Sequence, residues 1–166
     1  MNEQATLLAQ RLIRNFEQVE KTHDARPPLY DSLGARLGTG TAAGKLGASI
    51  DVVAPGMRSC PYHFHYAQEE MFIVLEGTGT LRVAGEQLPI KSGDVIFIPP
   101  GPEYPHQIIN TSQAPLKYLS ISTREQPELV EYPDSGKFQA TALREGKAVR
   151  YVQRPSASLD YWQDEP

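Results

Sequence analysis

From Lys45 onward the chain is a succession of short β-like runs, each closed by a turn residue: Leu46 to Val53, Met71 to Leu75, Thr80 to Val83, Asp94 to Ile98, His106 to Asn110 and Leu116 to Ser122. Runs of four to eight residues at regular spacing suit strands joined by tight corners, and they indicate a small antiparallel sandwich or barrel. The 13 glycines and 14 prolines among 166 residues reinforce this, because a helix bundle would not tolerate so many interruptions. In Met71 to Leu75 both strand faces are apolar, so one face fills the barrel and the other needs cover from a second sheet or subunit; a homodimer is expected.

Residues Glu3 to Lys21 lack glycine and proline, and Leu8, Leu12, Phe16 and Val19 recur at helical spacing behind Asn2 as a cap, which predicts one amphipathic helix. Between His23 and Gly47 the frequent glycines and the Pro27-Pro28 pair predict an extended arm or a run of loops. After the barrel, Pro127, the turn-like Tyr132 to Gly136 and the polar stretch Arg144 to Arg150 predict short strands and turns laid over it, with the last eight or so residues disordered. The expected divisions are therefore 1–44 for helix and arm, 45–123 for the barrel and 124–166 for the extension. There is no internal repeat and no low-complexity segment.

A net charge of −4 without a basic stripe makes nucleic acid an unexpected partner. The apolar runs are far shorter than the ~20 residues that span a bilayer, and the N-terminus lacks a signal-peptide profile, so no membrane partner is expected. A single cysteine, Cys60, leaves no intramolecular disulfide and fits a reducing compartment; a cytoplasmic protein is expected. Pro61 beside it and the absence of a basic neighbour beyond Arg58 point to a packed, unreactive thiol.

Only four histidines are present, yet His63 and His65 are one residue apart and Glu69 and Glu70 follow closely. Residues i and i+2 of a strand share a face, so His63 and His65 can present two imidazoles to one point while Phe64 points away. Adding a carboxylate from the next strand makes an open nitrogen and oxygen site for a divalent transition metal. His106, after a Pro-rich corner, could complete the shell. Glu69 and Glu70 face opposite sides, so only one can join. His23 has no partner at ligand spacing and is expected at the surface, and Asp94 is expected to fix a turn.

Gly56, His63, His65, Glu70 and Gly77 resemble the first motif of the cupin superfamily, with six rather than five residues between Gly56 and His63. Gly93, Pro99, Gly101, His106 and Asn110 are similar to its second motif, with four rather than two residues between Gly101 and His106. The 15 residues separating Gly77 from Gly93 also fit, and the spacing to Gly77 favours Glu70 over Glu69. The resemblance implies an all-β double-stranded β-helix, a jelly-roll barrel, carrying here an N-terminal α-helix and a C-terminal extension. It further implies one divalent transition metal (Mn, Fe, Ni or Zn) held by His63, His65, Glu70 and His106.

Four ligands leave two octahedral positions open, enough for a bidentate substrate or for substrate and dioxygen. Manganese, nickel or zinc would act there as a Lewis acid. Small bacterial cupins described as candidate sugar-phosphate isomerases resemble this chain, so the expectation is isomerisation of a sugar or sugar phosphate, a small polar metabolite. Arg58, Tyr62, Glu103 and Tyr104 flank the ligands and are the expected anchor, acid and base. Two alternatives are an iron(II) dioxygenase with an apolar pocket built from Phe64, Phe72, Val74, Phe97 and Ile108, and a non-catalytic small-molecule sensor.

Overall fold

A computed structural model describes residues 2–166. Asn2 accepts the backbone N–H of Ala5 and starts α1 (Glu3–Leu12), which buries none of its residues. The helix is shorter than its apolar spacing predicts. Ile13 turns extended, Arg14 donates back to Gln10 O and across to Gly40 O, and Asn15 accepts the N–H of Glu17. Phe16 and Glu17 are then drawn to Lys117, whose Nζ lies 2.6 Å from Glu17 and over the Phe16 ring. Tertiary contacts thus claim positions that helical periodicity assigned to α1.

The expected arm is a hairpin of β1 (Thr22–Arg26) and β2 (Tyr30–Arg36). It extends an antiparallel sheet whose other members are β3 (Leu46–Val53), β10 (Leu116–Thr123), β5 (Glu70–Glu76) and β8 (Val95–Ile98), in the order β1-β2-β3-β10-β5-β8. Facing it are β6 (Thr78–Val83), β7 (Glu86–Lys91) and β9 (His106–Ile109), in the order β7-β6-β9. β7 contains Pro89 and is an edge strand, a setting in which proline is tolerated. The extension supplies β11 (Glu128–Tyr132), β12 (Lys137–Arg144) and β13 (Lys147–Gln153), which pair with the two-residue β4 (Phe64–His65) in the order β13-β12-β11-β4. An antiparallel bridge between His63 and His106 joins β4's sheet to β9's.

Val53, Phe72, Val74, Leu81, Ile90, Ile98, Ile108, Leu116 and Tyr118 are packed between the layers as one apolar core. Phe64 is buried as well, but Phe97 is 65% exposed, because it is one position out of register with Ile98, the core residue of β8. It therefore builds no apolar pocket. Gly77 has φ +87°, and a Cβ there would lie 2.6 Å from the carbonyl oxygen of Pro115, so the β5–β6 corner accepts only glycine. Asn110 is fully buried and donates to Val53 O and Ala114 O while its Oδ1 accepts from Ser112 N and Oγ. It ties the loop before β10 to the end of β3.

Candidate metal centre

The His63–His106 bridge sets two imidazoles side by side at one end of the sandwich, with ring centroids 4.6 Å apart. His65 follows two residues on, its ring 5.0 Å from that of His63, and Glu70 opens β5 across the gap between the layers. Nδ1 of His63 lies 2.8 Å from Pro61 O, and Nδ1 of His106 lies 3.1 Å from Tyr104 O. A carbonyl can only accept, so both Nδ1 atoms carry hydrogen, and in the neutral rings both Nε2 atoms present lone pairs.

Those lone pairs converge on one carboxylate oxygen. Glu70 Oε2 lies 2.8 Å from Nε2 of His106, 3.4 Å from Nε2 of His65 and 3.8 Å from Nε2 of His63. Neither Oε2 nor His106 Nε2 has a partner at hydrogen-bond geometry, although both are buried. Two acceptors this close repel unless a cation stands beside both, and cis ligands at ~2.1 Å from a metal would themselves be about 3 Å apart. The residues present therefore fit a divalent ion. His63, Glu70 and His106 form a group whose ligand atoms all lie within 4.8 Å of one another; His65 approaches the same oxygen from outside it. Burial alone would push the Glu70 carboxyl up, but hydrogen bonds and positive charge from His106 and His65, which need a proton on the imidazole edge where a metal would otherwise sit, outweigh it and hold the group well below the usual carboxylate range.

Glu128, on β11, carried no signal in the sequence. Its buried carboxylate accepts the N–H groups of Tyr66, Ala67 and Gln68, pinning the turn between His65 and Glu70, and Oε1 stands 3.6 Å from Nδ1 of His65. That nitrogen has no other polar neighbour at bonding distance. Only the fold brings residue 128 to this place, since no spacing relates it to the histidines.

A cavity of about 440 Å³ opens onto His63, His65 and Glu70. Its remaining wall is polar, with Ser49, Gln68, Ser120, Ser122, Arg36 and Arg124 prominent. None of Arg58, Tyr62, Glu103 and Tyr104 lines it. Arg58 is held between Tyr30 and Ile109 by backbone bridges. Tyr62 is buried beneath the Arg82 guanidinium with its hydroxyl accepting from Gly85, while Glu103 and Tyr104 sit exposed on the Pro-rich corner. Glu69 lies outside the histidine cluster, His23 pairs with Asp31 at the surface, and Asp94 accepts from Lys91 N in a turn.

Burial pushes the Cys60 thiol up to about 12, with the Glu70 charge adding to the effect. Iodoacetamide at pH 8 is expected to leave native Cys60 unmodified and to alkylate it in urea; fast alkylation of the native protein would contradict this environment.

Residues 49–122 match the family model described as the cupin domain. An uncharacterised protein of Methanocaldococcus jannaschii is 40% identical over 73 residues, which are 42% of this chain and 57% of that protein. An oxalate-binding protein of Thermotoga maritima is 34% identical over 67 residues, 40% of this chain and 54% of its own. The chain thus spans little more than half the length of the curated relatives it matches. A solved structure of a candidate sugar phosphate isomerase from Acidithiobacillus ferrooxidans superposes with a TM-score of 0.72 at 26% identity, covering 86% of this chain and 92% of the other. A sugar phosphate isomerase of the cupin superfamily from Silicibacter pomeroyi shares the fold with a TM-score of 0.71 at 24% identity, over 87% and 93%. The chain carries a cupin domain, and no described helix is long and apolar enough to cross a membrane.

Proposed function

We propose that this cupin is a metal-dependent enzyme acting on a small polar metabolite, with His63, His65, Glu70 and His106 holding one divalent transition metal and a sugar or sugar phosphate as the isomerised substrate. The supporting observation is the convergence of three imidazole nitrogens and one carboxylate oxygen beside a polar cavity. When bound, the metal would supply Lewis-acid polarisation of a substrate oxygen. The polar wall suits hydroxyl groups, and Phe97, one of the residues expected to build an apolar dioxygenase pocket, is exposed. Among the described residues, Glu70 is the only carboxylate on the wall. The likeness to the candidate sugar phosphate isomerase from Acidithiobacillus ferrooxidans runs along most of both chains and supports this reading.

A second reading, binding without turnover, is favoured by the local likeness to an oxalate-binding protein. The two separate in one assay: metal-reconstituted protein is incubated with aldoses and their phosphates, and ketose formation is followed with and without chelator. Chelator-sensitive interconversion is expected; saturable binding without product would leave the binding barrel.

Glu128 orients His65 in this account. Glu128→Gln is expected to weaken metal binding roughly 10–100-fold, as the loss of such an outer carboxylate does elsewhere. Competition with a metal-indicator dye measures it, and wild-type affinity in the variant would remove Glu128 from the centre. The reading includes a homodimer, in which a second copy covers the exposed Leu8, Leu12 and Ile13 of the N-terminal segment.

A further inference from the structure

We propose that Arg36 and Arg124 form an anion subsite in the cavity wall and hold the charged end of the ligand, which is therefore a small hydroxylated anion rather than a neutral sugar. Strand register shows how the subsite is built. Arg36 is opposite Ser49, and Ser49 is opposite Ser120, giving one row across β2, β3 and β10. The next row runs from Gly47 through Ser122 to Glu70. Partners in a ladder point to the same face, so guanidinium, hydroxyls and the Glu70 carboxylate all meet the cavity. Beyond Ser49 the same face carries Asp51, which accepts the Ser49 hydroxyl, and only then becomes apolar, with Val53 opposite Leu116.

Gly47 leaves room above this second row, and the Arg124 side chain fills part of it, 3.7 Å from where a Cβ would be. Among the described residues, the side chains of Arg36, Arg124, Ser120 and Ser122 enter none of the hydrogen bonds or ion pairs found. Two free guanidinium groups thus share a wall whose only carboxylate is Glu70, in a chain that has 20 acidic residues against 16 basic ones. Guanidinium binds carboxylate or phosphate oxygens through paired N–H donors, and the Ser120 and Ser122 hydroxyls match substrate hydroxyls. Both arginines lie outside residues 49–122, so the flanking segments, not the shared domain, would set the choice of ligand.

Only the placement of the ligand's other end rests on the metal reading. Calorimetric titration of metal-loaded protein with a panel of aldose phosphates, the matching aldonates and the uncharged aldoses tests the proposal. At least one anionic series is expected to bind roughly tenfold or more tightly than its neutral counterpart, and Arg36→Gln and Arg124→Gln are each expected to remove about that factor. Whichever series benefits identifies the anionic group as phosphate or carboxylate. Metal content, measured on the same samples, is expected to be unchanged in both variants. No anion preference in metal-loaded wild type, or its persistence in the double variant, overturns the subsite and leaves the metal reading standing. Arginine-dependent anion binding by protein that takes up no metal supports the subsite and removes the metal reading alone.

Discussion

Glu70→Gln is expected to lower metal affinity by more than about 100-fold, since even an outer-shell partner contributes roughly 10–100-fold. The substitution keeps the side chain's size, so no cavity accompanies it. What it removes is the charged oxygen that stands 2.8–3.8 Å from three Nε2 atoms. A neutral amide is a weak ligand for a divalent ion and cannot offset the desolvation that the ion undergoes on entering a site this enclosed. Dye competition gives the affinity, and a melting curve in chelator serves as the control for folding. Binding within a few-fold of wild type would mean that Glu70 is not a ligand.

Asn110→Ala is expected to cost about 3 kcal/mol. The carbonyl of Val53 and the N–H of Ser112 lose the amide, Ala114 O keeps only the Ser112 hydroxyl, and a buried polar group left unpaired costs about 1–3 kcal/mol. For a domain of this size that is a fall in Tm of roughly 6–12 °C. Metal affinity, measured below the new midpoint, is expected to stay near wild type, because Asn110 touches none of the imidazoles. A change of less than about 1 kcal/mol would mean that water replaces the amide.

The strands marked by short β-like runs closed by turn residues were legible in the sequence. β3 runs from Leu46 to Val53 as expected, and β5, β6, β8, β9 and β10 each fall within two residues of the apolar run that marked them. β1 and β7 were not, because Thr22–Arg26 and Glu86–Lys91 are edge strands with mostly exposed side chains and so lack the alternation that burial imposes, and of the edge strand β13 only Lys147 to Arg150 lies in a stretch expected to form short strands and turns. The clustering of His63, His65, Glu70 and His106 was legible for a different reason: alternate strand residues share a face, and the two motifs lie on strands that the fold brings together. Arg58, Tyr62, Glu103 and Tyr104 are close to the ligands in sequence, but none lines the cavity: Arg58 is held between Tyr30 and Ile109, Tyr62 is buried under Arg82, and Glu103 and Tyr104 sit exposed on the proline-rich corner. Glu128, Arg36 and Arg124 come from the flanking segments and stand at no fixed spacing from the histidines. Only the pairing of β11 with β4, and of β2 and β10 with β3, brings them beside the cluster.

Elemental analysis of protein purified without chelators, alongside His63→Ala and His106→Ala, tests the central claim most directly. The account predicts close to one transition-metal ion per chain in the wild type and almost none in either variant. Equal metal content in all three, or none in the wild type even after incubation with manganese, iron(II), nickel and zinc, would contradict it.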